Sequence, residues 1–284
     1  MSLVAFLFCV KTRRGESLLL IFLAISSFLI YIQSKINQSN NTLRLMQEHY
    51  HKWYTQYLSR DFEMLVFGHA GYPVILFPTS NGRYYQSKDF GLIDSASQLI
   101  DQGKIKIYCP DGIDGESWYN YGIHPADRVK THLAYERLIL NDVIEFAKFE
   151  TGAANVCVAG CSFGGYHAAN IAFRHPDKVG YLFSIGSAFD IKQFIMGYYD
   201  DNCYFNNPPD YLPNLYDDWY LDQIKKMKIV LGIGEGNYCL DDNKNLSGIL
   251  ASKGINHWLD IRGKTGHDWK WWKEMFPAYL SQIG

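Results

Sequence analysis

The sequence has no excess of charge of one sign. Its 27 lysines and arginines and 29 aspartates and glutamates give a net charge of −2 over 284 residues. A protein that binds nucleic acid through the phosphate backbone needs a basic surface, which this balance does not supply. Nucleic acid is therefore excluded as an expected partner.

Cysteine is scarce, and the common metal-binding motifs are missing. Six cysteines are too few for a disulfide scaffold in a chain of this length, and those near strand-like segments are expected to be reduced core residues. Neither C-x-x-C nor H-E-x-x-H occurs, and no cluster of carboxylates and histidines has the spacing of metal ligands. We predict no metal site.

Residues 1–45 differ in character from the rest of the chain. Residues 17–32 are uncharged and apolar, and Lys11 and two arginines precede them. The stretch is just shorter than the ~17–25 residues of a membrane-spanning helix, and its basic flank would keep the N-terminal side in the cytoplasm. Three hypotheses remain open: a membrane anchor, a cleaved signal peptide, or an extension upstream of a translation start near Met46, which would leave a cytoplasmic protein.

Residues 46–284 read as one domain, with 48% hydrophobic residues in the whole chain to build its core. Two aromatic-rich runs within residues 50–69 predict a hairpin. Strand-like runs then alternate with helical patterns, which predicts an α/β fold with a mostly parallel central sheet and helices on both faces. The predicted strands lie at residues 74–77, 105–109, 155–159, 181–185, 229–233 and 257–261, and the clearest helices at 134–149, at 166–174 and from 269 onward.

Residues 190–223 interrupt this alternation. The stretch is dense in tyrosine, asparagine and aspartate, and Pro208, Pro209 and Pro213 argue against regular helix. We interpret it as an inserted lid, and a surface excursion without a role is the alternative.

The segment Gly160-Cys161-Ser162-Phe163-Gly164 has the form G-x-S-x-G and follows a predicted strand. This pattern is typical of a nucleophilic serine on a sharp turn from a strand to a helix, where backbone N–H groups can hold an oxyanion. The alternative is that Ser162 only caps the helix. With the predicted strand before it and helix after it, the motif favours a nucleophile.

His267 is the candidate base. Where the nucleophile lies on such a turn, the catalytic residues follow the order serine, acid, histidine along the chain. Of the nine histidines, His267 alone follows the final predicted strand, in a loop before the last helix. Its alternative role is that of an ordinary surface histidine.

Three segments resemble the esterase D-like branch of the α/β-hydrolase superfamily. They are Gly-Cys-Ser-Phe-Gly-Gly-Tyr-His-Ala-Ala-Asn from residue 160, Ser-Ala-Phe-Asp from residue 187, and Gly-His-Asp-Trp-Lys-Trp-Trp from residue 266. The resemblance covers roughly residue 50 to the C-terminus. It implies the α/β-hydrolase fold, a triad of Ser162, His267 and an acid, activity on esters or related acyl compounds, and no cofactor.

The acid departs from the pattern of that branch. The loop after the strand at 229–233 usually carries an aspartate where this chain has Asn237. An amide lacks the charge that stabilises the imidazolium and can fix the wrong tautomer. Glu235, in the same loop, is our choice for the third member, with Asp241 and Asp190 as alternatives.

The expected oxyanion donors are the N–H of Phe163 and that of Ser80, which follows the strand at 74–77. The residues thus predict a serine carboxylesterase that hydrolyses a small ester through an acyl-enzyme. An acyltransferase with the same residues and a catalytically silent binding protein of the same fold are the alternatives.

Overall fold

The structure is a computed structural model that describes residues 46–284. The apolar segment at 17–32, with the three hypotheses about it, lies outside these residues. Within residues 46–284, no helix is both long and apolar enough to cross a bilayer.

The described residues form one eight-stranded sheet in the order β1-β2-β4-β3-β5-β6-β7-β8. The hairpin of β1 and β2 is antiparallel, as predicted, β2 also runs antiparallel to β4, and the remaining neighbours are parallel. Parallel strands end at the same edge of the sheet, so the loops after β3, β5, β7 and β8 can meet there. The strands are β1 (Glu48–Thr55), β2 (Arg60–Phe67), β3 (Tyr72–Phe77), β4 (Ile105–Pro110), β5 (Val156–Cys161), β6 (Val179–Ile185), β7 (Lys228–Gly234) and β8 (Trp258–Arg262).

Helices cover both faces of the sheet. A π-helical segment, Ile139–Ile144, joins α4 to α5 where the sequence predicts one continuous helix. The α-helices are α1 (Gln86–Asp89), α2 (Leu92–Ser95), α3 (Ser97–Asp101), α4 (Pro125–Leu138), α5 (Glu145–Thr151), α6 (Phe163–Arg174), α7 (Asp201–Phe205), α8 (Pro208–Tyr211), α9 (Asp218–Lys226), α10 (Leu240–Ser252) and α11 (Trp269–Leu280).

The central strand β5 is buried on both faces. Val156 and Val158 belong to the core cluster that includes the buried alanines of α6, whereas Cys157 and Ala159 belong to the cluster on the other face, with Phe276 of α11. Alternate side chains of a strand point to opposite faces, so a strand covered by helices on both sides must be apolar throughout. This burial fixes the strand that leads into the turn at Ser162.

The stretch at 190–223 contains helices, so the expectation that its prolines prevent regular helix was wrong. Pro208 and Pro209 occupy the first two positions of α8. A helix needs no N–H donor there, and the fixed φ of proline suits the helical backbone. Phe194 of this stretch is buried against the aromatic side chains beside Ser162. Its function as a lid stays a prediction.

Glu136 ties α4 to the C-terminal end of α6. Its carboxylate accepts from the Arg174 guanidinium twice, at 3.0 Å each, and lies 2.8 Å from His175 Nε2. Burial alone would raise the pKa of Glu136, but the hydrogen bond from His175 and the ion pair with Arg174 outweigh it and bring the pKa to about 2. The contact therefore anchors the helix that carries Ser162 at its start.

We expect Glu136→Gln to lower the free energy of unfolding by ~3 kcal/mol at neutral pH, because a buried ion pair loses one partner. The pKa of Glu136 lies below its unfolded value, so the stabilisation is complete above the unfolded pKa of about 4.3 and is lost as pH falls toward the folded pKa. The difference between variant and wild type should therefore shrink below about pH 5 in urea unfolding curves.

Glu145→Gln is the matched control, since Glu145 pairs with Lys178 at 2.8 Å but is about half exposed. It should change the free energy of unfolding by no more than ~0.5 kcal/mol. Equal losses for the two variants would contradict the anchoring role of Glu136.

Candidate active site

Ser162 lies on the turn between β5 and α6, at the carboxyl edge of the sheet. Its backbone has φ of 55° and ψ of −127°, a conformation that costs a non-glycine residue about 1–3 kcal/mol. The N–H of Ser162 donates to Ile185 O at 2.9 Å, and its C=O accepts from Gly165 N–H at 3.0 Å. The hydroxyl does not cap α6. These two hydrogen bonds fix the backbone of Ser162, while the hydroxyl is not used as a cap.

Two glycines make this turn sterically feasible. A Cβ at Gly160 would lie 2.2 Å from the backbone carbonyl of Gly164. A Cβ at Gly164 would lie 2.4 Å from the carbonyl oxygen of Pro78, which follows β3. The start of α6 therefore packs directly on the loop after β3, and only glycine allows that approach.

His267 reaches Ser162 from the loop between β8 and α11. Its Nε2 lies 3.0 Å from Ser162 Oγ, although 105 residues separate the two along the chain. Asp268 caps α11 by accepting from Lys270 N–H at 2.8 Å, and the ring of Trp272 packs edge-on against the imidazole at 4.9 Å. The cap and the indole hold the imidazole over the turn. The structure thus brings together the predicted nucleophile and base.

Asn237 is the residue at the other imidazole nitrogen. Its Oδ1 lies 3.3 Å from His267 Nδ1 and also accepts from Cys239 N–H at 2.9 Å. The backbone N–H is a donor only, so it identifies the atom facing the imidazole as the amide oxygen. That oxygen selects the tautomer with hydrogen on Nδ1, which leaves the lone pair of Nε2 for the serine. The amide lacks the charge of an aspartate but does not impose the wrong tautomer.

Glu235 does not reach the imidazole. It is exposed, and its N–H donates to Arg262 O at 2.8 Å, so this part of the loop runs alongside the end of β8. Within residues 46–284, no hydrogen bond joins its carboxylate to His267. The structure therefore does not bring our choice for the third member to the other two, because the loop turns Asn237 inward two residues later.

The other two carboxylates considered for this role lie in different surroundings. Asp190 accepts from Lys192 N–H at 2.8 Å and pairs with the ammonium group of the same lysine at 3.4 Å. Asp241 lies in the first turn of α10, where a negative charge favours the helix dipole. Both positions have structural explanations.

Burial lowers the pKa of His267 below its ordinary value. Desolvation disfavours the charged imidazolium, and Asn237 brings no negative charge to offset this effect. His267 is therefore neutral at neutral pH, which is the form that can accept the proton of Ser162.

Two backbone N–H groups beside Ser162 are candidates for binding an oxyanion. Phe163 is the first residue of α6, so its N–H has no acceptor within the helix. In the loop after β3, the N–H groups of Thr79, Asn81 and Gly82 donate to Gln86, Asp114 and Thr79, respectively. The N–H of Ser80, between them, has no protein acceptor within residues 46–284. Phe163 and Ser80 therefore stay the predicted donors.

Tyr119 touches both of these residues. Its hydroxyl lies 2.8 Å from Ser80 Oγ, and its ring packs edge-on against that of Phe163 at 5.4 Å and tilted against Phe194 at 4.7 Å. The main chain at Phe194 is held in turn by buried Arg128, whose Nη1 donates to Phe194 O at 2.5 Å. These contacts form an aromatic wall that joins Phe163, the residue after Ser162, to the insert.

Asp114 joins the loop after β3 to α6. One carboxylate oxygen accepts from Asn81 N–H at 3.0 Å, and the other lies 2.8 Å from His167 Nε2. Both Asp114 and His167 are buried. This contact fixes the loop of Ser80 relative to the helix that begins at Phe163.

Sequence reasoning missed Asp114 and Tyr238 as members of the site. Tyr238 brings its hydroxyl to 3.0 Å from His267 Nε2. Its position next to Asn237 in the predicted acid loop was the available signal. Tyr119 and Asp114 carry no motif, because their places depend on the fold of the segment between β4 and α4. Among the described residues, no three histidine, cysteine, aspartate or glutamate side chains converge as metal ligands.

No protein-family model and no curated protein matches the chain. Solved structures match its fold. A ferulic acid esterase has a TM-score of 0.69 and 16% identity over 84% of this chain and 97% of its own. The S-formylglutathione hydrolase FrmB from Staphylococcus aureus has a TM-score of 0.59 and 13% identity over 84% of this chain and 98% of its own.

A third structure, the CE1 ferulic acid esterase AmCE1/Fae1A from Anaeromyces mucronatus, has a TM-score of 0.65 and 13% identity over 85% of this chain and 92% of its own. The chain therefore has the α/β-hydrolase fold, as the sequence predicts. At these identities the comparison shows the fold. The predicted resemblance to esterase D-like α/β-hydrolases is confirmed at that level.

The pKa of His267 can be measured without an assay of activity. We expect its imidazole to titrate below the ordinary value of about 6.5 in NMR spectra, because the site desolvates the cation. Asn237→Asp should raise this pKa, since a carboxylate beside Nδ1–H favours the imidazolium. His257, whose Nε2 lies 2.6 Å from Ser247 Oγ outside this site, serves as an internal control, because its resonances should be the same in the variant and in wild type. An unchanged pKa of His267 in the variant would contradict the contact with residue 237.

Proposed function

We propose that this protein is a serine hydrolase that cleaves a small carboxylic ester through an acyl-enzyme. The observation that carries the proposal is the 3.0 Å contact between Ser162 Oγ and His267 Nε2, with Ser162 on a strained turn. The fold shared with solved esterases supports it. A serine–histidine contact alone is not sufficient. Ser247 also contacts His257, at 2.6 Å, but it lies within the regular helix α10 and not on a sharp turn.

In the proposed reaction, Ser162 Oγ attacks the ester carbonyl while its proton moves to His267 Nε2. The electron pair of the carbonyl moves to its oxygen, which the N–H groups of Phe163 and Ser80 hold. The intermediate collapses as the bond to the alcohol breaks and the alcohol oxygen takes the proton. Water then attacks the acyl group in the same way and releases Ser162.

Asn237 affects the rate rather than the order of these steps. It orients the imidazole and selects the productive tautomer through Oδ1, but it leaves the imidazolium without a negative partner. Its Nδ2 is buried and has no acceptor among the described residues. We infer a functional but slow nucleophile, and this amide is also the observation that keeps a catalytically silent protein as the second candidate.

The surroundings of Ser162 favour a small substrate with an apolar or aromatic acyl group. The rings of Phe163, which follows Ser162, of Tyr119 and of Phe194 pack against one another, and Tyr119 is the partly exposed one of the three. Aromatic faces of this kind bind planar or compact apolar groups. One structural neighbour, AmCE1/Fae1A, was solved in complex with ferulic acid, so esters of aromatic carboxylic acids are suitable first substrates. Transfer of the acyl group to an alcohol instead of water stays an alternative.

We expect Ser162→Ala and His267→Ala each to lower kcat/KM for p-nitrophenyl acetate by about 10³-fold or more, because members of one catalytic relay act as a unit. Ser162→Ala should also abolish labelling by a fluorophosphonate probe. Ser247→Ala is the matched control, since it removes the serine of the other serine–histidine contact, and it should retain wild-type activity. Full activity of Ser162→Ala would overturn the proposed function, and an unlabelled wild-type protein would favour the silent candidate.

Asn237→Asp should raise kcat/KM for p-nitrophenyl acetate by roughly 10-fold or more, because it supplies the charge that stabilises the imidazolium. Glu235→Gln tests the carboxylate chosen from the sequence, and this geometry predicts no loss. An unchanged rate in Asn237→Asp together with a large loss in Glu235→Gln would assign the acid to Glu235.

A further inference from the structure

Two hydroxyl groups meet the same nitrogen of His267. Tyr238 OH and Ser162 Oγ each lie 3.0 Å from Nε2. With hydrogen on Nδ1, where Asn237 accepts it, the imidazole offers one lone pair at Nε2, so only one hydroxyl can donate to it at a time. Once Nε2 has taken the proton of Ser162, the situation reverses. Nε2–H becomes a donor, and the oxygen of Tyr238 can accept from it.

Tyr238 has the position and the freedom to meet the departing alcohol. It directly follows Asn237, and its ring lies 4.5 Å from the imidazole ring at an angle of 32°. Its side chain is 78% exposed, so packing of the core does not explain its presence. A leaving alcohol must take its proton near Nε2 and then depart toward solvent. The Tyr238 hydroxyl lies next to Nε2, and the side chain that carries it is exposed to solvent.

We propose that Tyr238 is a further catalytic residue that carries the proton from His267 to the leaving-group oxygen. This inference rests on the proposed function. When the bond between the acyl carbon and the alcohol oxygen breaks, the electron pair stays on that oxygen, which takes the phenolic proton of Tyr238. Tyr238 takes the proton of Nε2–H in the same step. His267 and Tyr238 are then both neutral, and no other reactant is needed.

The reverse transfer serves the second half of the reaction. The attacking water gives its proton to Tyr238 as the phenolic proton moves to Nε2, and the serine oxygen later recovers a proton from the imidazolium. The phenol must be protonated to act in both directions. Partial desolvation of the phenol raises the pKa of Tyr238 above its ordinary value, so the hydroxyl is protonated at neutral pH.

This role compensates for the missing carboxylate. Because Asn237 does not stabilise the imidazolium by charge, a relay that removes its proton as the alcohol leaves avoids a long-lived cation in a desolvated position. A hydroxyl that both accepts and donates can do this, whereas a residue with only one of these capacities cannot.

The test is Tyr238→Phe, assayed on two acetates that differ in their leaving group. Ethyl acetate releases a strongly basic alkoxide that needs a proton, and p-nitrophenyl acetate releases a weakly basic phenolate that does not. The acetyl-enzyme is the same for both, so the comparison uses kcat/KM, which reports formation of the acyl-enzyme alone. We expect the variant to lose about 10²-fold in kcat/KM for ethyl acetate and less than about twofold in kcat/KM for p-nitrophenyl acetate. Labelling of Ser162 by a fluorophosphonate should keep its wild-type rate, since fluoride leaves without such help.

Tyr54→Phe is the matched control, because Tyr54 is an exposed tyrosine on the edge strand β1 at the far side of the sheet from His267. It should leave both rates unchanged. An equal loss on both esters would overturn the inference by assigning Tyr238 a structural role. A gain on both, with faster labelling, would overturn it by showing that Tyr238 only blocks Nε2. If wild type is neither labelled nor active on either ester, the proposed function fails, and the inference fails with it.

Discussion

The backbone of Ser162 is the constraint on which the site depends. A non-glycine residue with φ of 55° persists only where its surroundings hold it, and here they do so from three sides. The strand β5 is buried on both faces, Ile185 of β6 accepts the N–H of Ser162, and the glycine at 164 allows α6 to start against the loop after β3. The same arrangement places the hydroxyl, the first N–H of α6 and the loop of Ser80 together. A looser turn would lose all three groups at once.

The exchange of a carboxylate for an amide changes the electrostatics of the site but leaves its geometry intact. Asn237 orients His267 because Cys239 N–H fixes which atom of the amide faces the ring. The third residue of a triad contributes both orientation and charge. Asn237 supplies the orientation but not the charge. A neutral environment keeps the imidazole unprotonated and ready to act as a base, yet it makes the imidazolium costly. The hydroxyl of Tyr238 at Nε2 gains importance for this reason.

Side chains that carry no motif complete the site. Tyr119 contacts Ser80 and Phe163, and Phe194 brings the insert into the aromatic wall, where buried Arg128 holds its carbonyl. Asp114 connects the loop after β3 with α6 through His167. Segments that are far apart along the chain therefore meet near Ser162, and packed aromatic rings hold several of them together.

Local patterns were enough to predict the strands of the sheet and the serine and histidine that the structure brings into contact. The strands of the sheet are short apolar runs, and the turn at Ser162 needs glycine at fixed positions, so both leave a local trace in the chain. No local pattern identified the residue that faces the other imidazole nitrogen. Glu235 and Asn237 lie two positions apart, and only the path of the loop beside β8 decides which one faces the imidazole. The same holds for Tyr119 and Tyr238, whose hydroxyls meet partners 39 and 29 residues away. Periodicity and turn chemistry act between neighbours in the chain, whereas the choice of hydrogen-bond partners across the site depends on how separate loops pack together, and that was decided by the folded structure alone.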